Sequence, residues 1–291
     1  MNKRVDNQLL GLLLFLINLV VMVAISSLVK IESEHVPLPV ILFFRFAIAL
    51  LPLIIIARWK QGKIDLTTSR PWDHIIRSAS GIFALSMFFL AISLIPLADA
   101  TAISYCSPLF ITILAIPLLA EKVGWRRWSA VLVGMVGMLI IANPTGAEFS
   151  IGTLAAVLSA IFAAVVVIWL RRMSDTEDTS TIAIFYNFSG AVLFLAWWFV
   201  ADYDGIPVAS YPSLIALGLL AGVQQFCFAA SFRYAEASFL APFEYTVLIL
   251  AAATGYFLWQ EIPTLQTWIG AAIIVASGLI IAKRESVKVA A

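Results

Sequence analysis

Long runs of apolar residues separated by short polar loops dominate the hydrophobic pattern of the chain. A helix needs about 20 mostly apolar residues to cross the hydrocarbon core of a bilayer. Runs of this kind occupy residues 8–29, 36–57, 75–97, 100–120, 128–142, 151–170, 180–201, 212–231, 237–259 and 265–282. They lack the alternation of apolar and polar residues that is typical of a transmembrane β-barrel. The pattern therefore predicts an all-α integral membrane protein with ten transmembrane helices.

The distribution of Lys and Arg predicts how these helices are oriented. If the N-terminus lies in the cytoplasm, sixteen of the 18 Lys and Arg residues fall in segments that face the cytoplasm. Lys30 lies in an outward loop, and Arg45 lies within the second predicted span. Cytoplasmic loops are enriched in Lys and Arg. We therefore expect the N- and C-termini to be cytoplasmic.

The two halves of the chain resemble each other. A shift of 140 positions places Tyr105 on Tyr245, Leu118 on Leu258, Glu121 on Glu261 and Trp128 on Trp268. Each half holds five predicted spans, an odd number, so the second half must enter the membrane in the opposite direction. We expect two inverted five-helix repeats, residues 8–142 and 150–282. Such repeats recur in secondary transporters, with the substrate site between the halves; a duplication that only built a helix bundle is the alternative.

Composition excludes several classes of protein. Hydrophobic residues make up 62% of the chain and charged residues 12%, whereas soluble domains carry about 25% charged residues. Lys and Arg number 18 against 17 Asp and Glu, so there is no basic nucleic-acid-binding domain. Both cysteines lie in apolar runs, which favours neither a disulfide framework nor a cysteine-rich metal site. We expect no cofactor and no metal.

Two ionisable residues lie deep inside predicted spans. A charged side chain at the centre of a bilayer costs about 2.5–3.5 kcal/mol on insertion scales, so each one needs a reason. Arg45 is matched in the second half by Asn187 at a shift of 142, and the two either line a site between the halves or fix helix packing. For Glu244 three roles are open: it holds a cationic substrate, it carries a coupling proton, or it neutralises Arg45.

Further candidates surround these residues. Pro108 and Pro242 fall in the first half of the fourth and ninth spans, where a missing backbone N–H makes either a gating hinge or a fixed bend. Tyr105 and Tyr245 lie beside them at matched positions. The predicted substrate-binding residues are Arg45, Glu244, Tyr245, Asn187, Tyr105, Gln224, Tyr186 and Asn18.

Small residues in the fifth and tenth spans bear on the oligomeric state. Gly134 and Gly137 lie in the fifth span, and Gly270 and Gly278 lie in the tenth. Small residues permit close contact between membrane helices. We expect a monomer or a homodimer, the latter formed through these two spans.

Several short motifs carry a family resemblance. They are Phe43-Phe44-Arg45-Phe46, Arg70-Pro71, His74-Ile75-Ile76-Arg77, Ala98-Asp99-Ala100-Thr101-Ala102, Ser107-Pro108-Leu109-Phe110, Glu121-Lys122 with Trp128, and Ala241-Pro242-Phe243-Glu244-Tyr245 with Glu261. The chain resembles ten-span members of the drug/metabolite transporter superfamily with two EamA domains. The Arg-Pro and His-x-x-Arg stretch looks most like bacterial S-adenosylmethionine permeases, with riboflavin importers next. The resemblance implies a multi-pass protein of the bacterial inner membrane, with spans one to four and six to nine around a central cavity.

These features predict a secondary transporter that moves a small organic metabolite by alternating access. S-adenosylmethionine or a similar cationic, aromatic metabolite is the first expected substrate; riboflavin or an amino acid is the alternative. The chain lacks a P-loop, and its two histidines, His35 and His74, fall in predicted loops on opposite sides. The alternative from a different functional class is an intramembrane enzyme or a channel. The expected partners are the substrate, the lipid bilayer and coupling protons, with no nucleic acid.

Overall fold

Helices account for all the regular structure in the part of the chain that is described. The computed structural model describes residues 8–61, 67–119, 124–143, 150–173, 176–200, 205–235 and 237–289. Within these ranges there is no β-strand, and a 3₁₀ turn covers Val208–Ser210. The helices are α1 Gln8–Glu32, α2 Leu38–Gln61, α3 Pro71–Leu94, α4 Leu97–Ser104, α5 Ser107–Leu119, α6 Trp125–Ala142, α7 Ile151–Met173, α8 Thr179–Val200, α9 Tyr211–Tyr234, α10 Ala237–Glu244, α11 Thr246–Trp259 and α12 Leu265–Val289.

The helices follow the apolar runs of the sequence. In the described ranges, seven helical stretches are long and apolar enough to cross a membrane, and α4 and α5 together form one of them. Shorter apolar helices cover Trp128–Ala142, Thr246–Trp259 and Leu265–Ile280, where the fifth, ninth and tenth spans are predicted. The predicted all-α membrane class is therefore confirmed.

The third predicted span was placed too late: it begins at residue 75, whereas the helix begins at residue 71. Helix α3 begins at Pro71, where proline's fixed φ and missing N–H suit the first helical position. Asp73 in the first turn also favours this start, because a negative charge stabilises a helix N-terminus. His74 and Arg77 thus lie inside a helix and not in a loop. The helix ends at Leu94 because Pro96 holds Ile95 in an extended conformation, with φ −131° and ψ 165°.

The fourth and ninth predicted spans are each broken into two helices. The first break lies at Tyr105 and Cys106, and the second lies at Tyr245. Pro108 is the second residue of α5, and an unbroken α-helix would press its ring against the carbonyl of Ser104, four residues earlier. Pro242 belongs to α10, three residues before the second break, and its side chain lies outside the described residues. A hinge movement at either proline stays a prediction.

Each long helix of the first half packs along a helix of the second half. Helix α1 packs on α9, α3 on α7, α2 on α8 and α9, and α6 on α12. The broken segments lie between them, with α5 on α7 and α4 on α11. Large side chains that are fully buried in this arrangement include Phe46, Phe89, Ile41 and Ile92. The main core therefore lies where the two halves meet.

The glycines of α6 and α12 allow close contacts within the chain itself. A Cβ atom added to Gly137 would lie 2.8 Å from the carbonyl oxygen of Gly270, and one added to Gly270 would lie 2.6 Å from that of Gly137. Gly134 faces Leu109, and Gly278 faces the Tyr245 side chain. These four glycines are thus covered by residues of the same chain, and a homodimer through other residues of α6 and α12 is not tested. The oligomeric state stays a prediction.

Candidate functional site

A cavity of about 410 Å³ lies between the two halves. Five of the eight predicted site residues line it, although they come from different helices: Arg45, Tyr105, Tyr186, Gln224 and Glu244. Phe88 and Phe89 of α3, with aliphatic residues of α3 and α7, form an apolar and aromatic wall. The cavity thus combines a few polar groups with a mainly apolar lining, as ligand sites generally do.

Arg45 is held by a chain of hydrogen bonds that crosses three helices. Its side chain is buried, and its Nη1 donates to Oδ1 of Asn187 over 3.0 Å. The Asn187 amide nitrogen donates to the carbonyl of Ala183 at 2.8 Å and to Oε1 of Gln225 at 3.3 Å. Asn187 itself does not line the cavity but fixes the guanidinium that does. Among the described residues no ion pair joins Arg45 to Glu244, so their direct neutralisation, one of the alternatives, is not observed.

Arg77 is a cavity residue that the sequence interpretation assigned to a cytoplasmic loop. It is 8% exposed, and its guanidinium carbon lies 4.0 Å from the centroid of the Tyr186 ring. The guanidinium carbon of Arg45 lies 5.6 Å from the same centroid. Nε and Nη1 of Arg77 have no hydrogen-bond partner among the described residues. The sequence signal for its place was its position inside the third predicted span, and the observed helix start at Pro71 puts Arg77 in the second turn of α3.

Polar groups gather where the fourth and ninth spans break. Glu244 is the last residue of α10, lines the cavity and keeps a substantial part of its surface exposed. Ser104, at the position matched to Glu244, also lines the cavity, and its buried Oγ lacks a hydrogen-bond partner in the described structure. The Tyr105 hydroxyl contacts Sδ of Met22 at 3.7 Å. The breaks therefore bring a carboxylate and two hydroxyl groups to the cavity.

Tyr245 and Asn18 do not line the cavity. A Cβ atom added to Gly278 would lie 1.7 Å from the Tyr245 hydroxyl oxygen, so this side chain fills a notch in α12. Asn18 is 3% exposed within α1, and its Oδ1 has no hydrogen-bond partner among the described residues. Sequence matching placed Tyr245 with Tyr105, but the two side chains point to different neighbours. We therefore leave Tyr245 and Asn18 out of the proposed site.

A polar cluster joins the start of α3 to the connection between α7 and α8. Nε2 of His74 lies 3.2 Å from Oε2 of Glu177, and the Thr68 hydroxyl donates to Oε1 of Glu177 at 2.9 Å. Burial alone raises the pKa of the Glu177 carboxyl, but hydrogen bonds from His74 and Thr68 outweigh this effect and bring the pKa below its ordinary value. Nearby, the Trp169 indole donates to Asp73 at 3.2 Å. The cluster ties the two halves together at one end of the cavity.

A second polar cluster lies at the opposite ends of these helices. The Lys30 ammonium pairs with Glu261, and it donates to the carbonyl of Ile95 at 3.2 Å. Oε2 of Glu261 accepts the backbone N–H of Leu97 at 3.0 Å and so caps the start of α4. The Ser213 hydroxyl of α9 donates to Glu32 of α1. Contacts between the halves thus exist at both ends of the bundle.

The sequence of the whole chain matches known transporters. The EamA-like transporter family matches residues 9–143 and again residues 150–283. The chain belongs to this family. A solved crystal structure with 20% identity superimposes with a TM-score of 0.67 over 97% of this chain and 99% of that chain, which shows the fold alone. Membership of the EamA family makes the chain a multi-pass membrane protein of the drug/metabolite transporter superfamily.

Relatives of this EamA-family chain are named for different cargoes. An S-adenosylmethionine uptake transporter of Rickettsia bellii is 30% identical over 98% of this chain and 97% of its own length. A riboflavin transporter of Vibrio cholerae is 27% identical over 91% and 90%. A pseudopaline exporter of Pseudomonas aeruginosa is 27% identical over 89% and 91%. These relatives are transporters and not enzymes.

Proposed function

We propose that this chain is a secondary transporter that carries a small organic metabolite across the bacterial inner membrane by alternating access. The observation that carries this function is the cavity between the halves, where Arg45, Arg77 and Glu244 come together inside otherwise apolar helices. Charged residues within a membrane are costly and characteristically mark a substrate or ion pathway. Relatives named for uptake and for export of metabolites support the same class of function.

The proposed topology has ten spans in two inverted repeats, residues 8–142 and 150–282, with both termini in the cytoplasm. Seven long stretches and three shorter apolar helices in the described ranges support this number of spans. The two family matches fall on almost the same ranges as the proposed repeats. The concentration of Lys and Arg in inward segments supports the orientation.

Alternating access requires two gates that do not open together. Under the proposed topology, the inverted repeat relates the packed pair α3–α7 to the packed pair α1–α9. When the two repeats exchange conformations, each pair therefore adopts the packing that the other pair had. The His74–Glu177 cluster then closes the cytoplasmic end, and the contacts of Lys30 with Glu261 and of Ser213 with Glu32 close the outer end. Breaking one set while the other stays formed opens the cavity to one side.

S-adenosylmethionine is the substrate that we propose first. It combines a flat aromatic base with cationic groups, and the cavity offers aromatic side chains together with the Glu244 carboxylate. A relative named for S-adenosylmethionine uptake is 30% identical over nearly the whole chain. Riboflavin is the second candidate because a relative of similar coverage is named for it. Glu244 is also the proposed site for a coupling proton.

Counterflow in proteoliposomes tests the proposed function. Purified protein is reconstituted with excess unlabelled S-adenosylmethionine inside, and labelled compound is added outside. A carrier gives transient accumulation of label that saturates with concentration, whereas a channel gives only equilibration. Riboflavin and amino acids are measured in the same vesicles. The absence of counterflow for every compound, in vesicles shown to contain folded protein, would contradict the transporter with these substrates, and chemical turnover without transport would indicate an enzyme.

A further inference from the structure

The cavity carries more positive than negative charge. Among the described residues that line it, Arg45 and Arg77 are cationic and Glu244 is anionic. Arg45 has a protein acceptor in Asn187, whereas Nε and Nη1 of Arg77 have none in the described structure. A buried polar group without a hydrogen-bond partner is destabilising, and more so when the group is charged. The described part of the site therefore offers no acceptor for these two nitrogens of Arg77.

The surroundings of Arg77 favour one kind of acceptor. The Tyr186 ring lies 4.0 Å from the guanidinium carbon and stabilises the charge, but a ring face does not replace an oxygen acceptor for the guanidinium N–H groups. Gly81, one turn further along α3, lines the cavity next to this group, and Nη1 of Arg77 lies 3.4 Å from where a Cβ atom would sit there. A planar guanidinium fork matches a carboxylate with two parallel hydrogen bonds.

We propose that Arg77 binds a carboxylate of the transported metabolite while Glu244 faces its cationic group. The substrate class is then an amino acid or a metabolite with an intact amino-acid end. This inference rests on the proposed function. It narrows that function, because S-adenosylmethionine carries a carboxylate and riboflavin does not. Arg45, held by Asn187, adds positive potential at the same ring and so strengthens attraction for the anion.

The charge balance supports the same assignment. A substrate that carried only a cation would satisfy Glu244 but leave two guanidinium groups near the same Tyr186 ring without an anion. A zwitterion supplies both an anion for Arg77 and a cation for Glu244. Hydrogen bonds to charged groups contribute enough that losing the carboxylate should weaken binding by roughly tenfold to a hundredfold.

The test compares S-adenosylmethionine with its decarboxylated analogue. Binding to purified, full-length protein is measured as ligand-induced thermal stabilisation, and the pair tyrosine and tyramine provides a second comparison. We expect the wild type to prefer the acid by about tenfold or more. Arg77→Gln should remove this preference and Arg77→Lys should retain part of it. Arg58→Gln, which changes an exposed arginine at the end of α2, is the matched control and should behave as the wild type.

The outcomes separate this inference from the proposed function. Equal binding of acid and decarboxylated analogue by the wild type, a preference that survives Arg77→Gln, or no binding of either acid would overturn the carboxylate site. In those cases, counterflow of riboflavin would show that the proposed transport function is correct even though the carboxylate site is not. Size-exclusion chromatography of each variant shows whether it is folded. If Arg77→Gln does not fold, the preference in Arg77→Lys and in the wild type still decides the question.

Discussion

Nη1 of Arg45 donates a hydrogen bond to Oδ1 of Asn187 over 3.0 Å, joining α2 to α8 deep in the proposed membrane region. The two residues lie 142 positions apart, at positions that the sequence repeat matches. The contact thus links the two halves at the wall of the cavity. It is also where a role in substrate binding and a role in helix packing must be separated.

Apolar replacement of this pair separates the two roles. Asn187→Leu alone leaves the buried Arg45 without its acceptor and should destabilise the protein by about 1–3 kcal/mol. The double variant Arg45→Met with Asn187→Leu should recover much of that loss, since replacing a buried polar pair by apolar groups is often neutral. Thermal unfolding in detergent measures the stability, and counterflow measures transport. Recovery of both stability and transport in the double variant would show that Arg45 is only a packing clamp.

Glu244→Gln should reduce counterflow to background while leaving the protein monodisperse. The change removes the charge that we propose to hold the cationic group or the proton, but it keeps the size of the side chain. Glu34→Gln is the matched control because Glu34 is exposed after α1, outside the cavity. Normal counterflow in Glu244→Gln would show that the carboxylate is not needed to bind the cationic group.

Close helix contacts predict a localised effect on stability. A Cβ atom at Gly222 of α9 would lie 2.0 Å from Cγ of Pro52 in α2, so Gly222→Ala must push the two helices apart. Overpacking of this kind costs about 1–3 kcal/mol. At Gly124 no described atom lies within 4 Å of an added Cβ atom and φ is −72°, so Gly124→Ala is the control. Equal melting temperatures for the two variants would contradict the packing of α2 on α9.

Acid should weaken the cluster around Glu177, which lies outside the membrane-spanning segments. Because hydrogen bonds from His74 and Thr68 hold the pKa of Glu177 below its ordinary value, this contribution to stability is present above the unfolded-state pKa and is lost as pH falls through the folded-state pKa. Glu177→Gln should lower stability by about 1.5–3 kcal/mol at neutral pH and by less at pH 4. Thermal unfolding across this range measures the difference. A stability difference between variant and wild type that does not change with pH would contradict the prediction.

The helices themselves could be predicted from sequence because twenty apolar residues in a row have few alternatives to a membrane span. The start of α3 was missed because Trp72, Asp73 and His74 look like an interfacial loop. Counting Arg77 among the inward-facing basic residues was a separate error, because residue 77 already lies inside the predicted span 75–97. Its burial depends on Tyr186 of α8, which no local pattern in the sequence reveals.

Side-chain direction limited what the sequence repeat could predict about the site. Arg45, Tyr105 and Glu244 line the cavity as expected. Tyr245 matches Tyr105 in the sequence, yet its hydroxyl packs against Gly278 of α12. A repeat relates backbone positions, whereas the direction of each side chain depends on which neighbours leave space for it.

Side-specific labelling of Ser104→Cys tests most directly whether the cavity is an alternately accessible substrate site. Cys106 and Cys227 are first replaced by alanine, and Ser104 lines the cavity while Glu34, as Glu34→Cys, supplies an exposed control after the end of α1. A membrane-impermeant thiol reagent is applied to either side of oriented vesicles, with and without the compound that gives counterflow. We predict that Ser104→Cys is modified from both sides, that the transported compound protects it, and that Glu34→Cys is modified from one side and is not protected. Modification from one side only, unchanged by that compound, would contradict alternating access around this cavity.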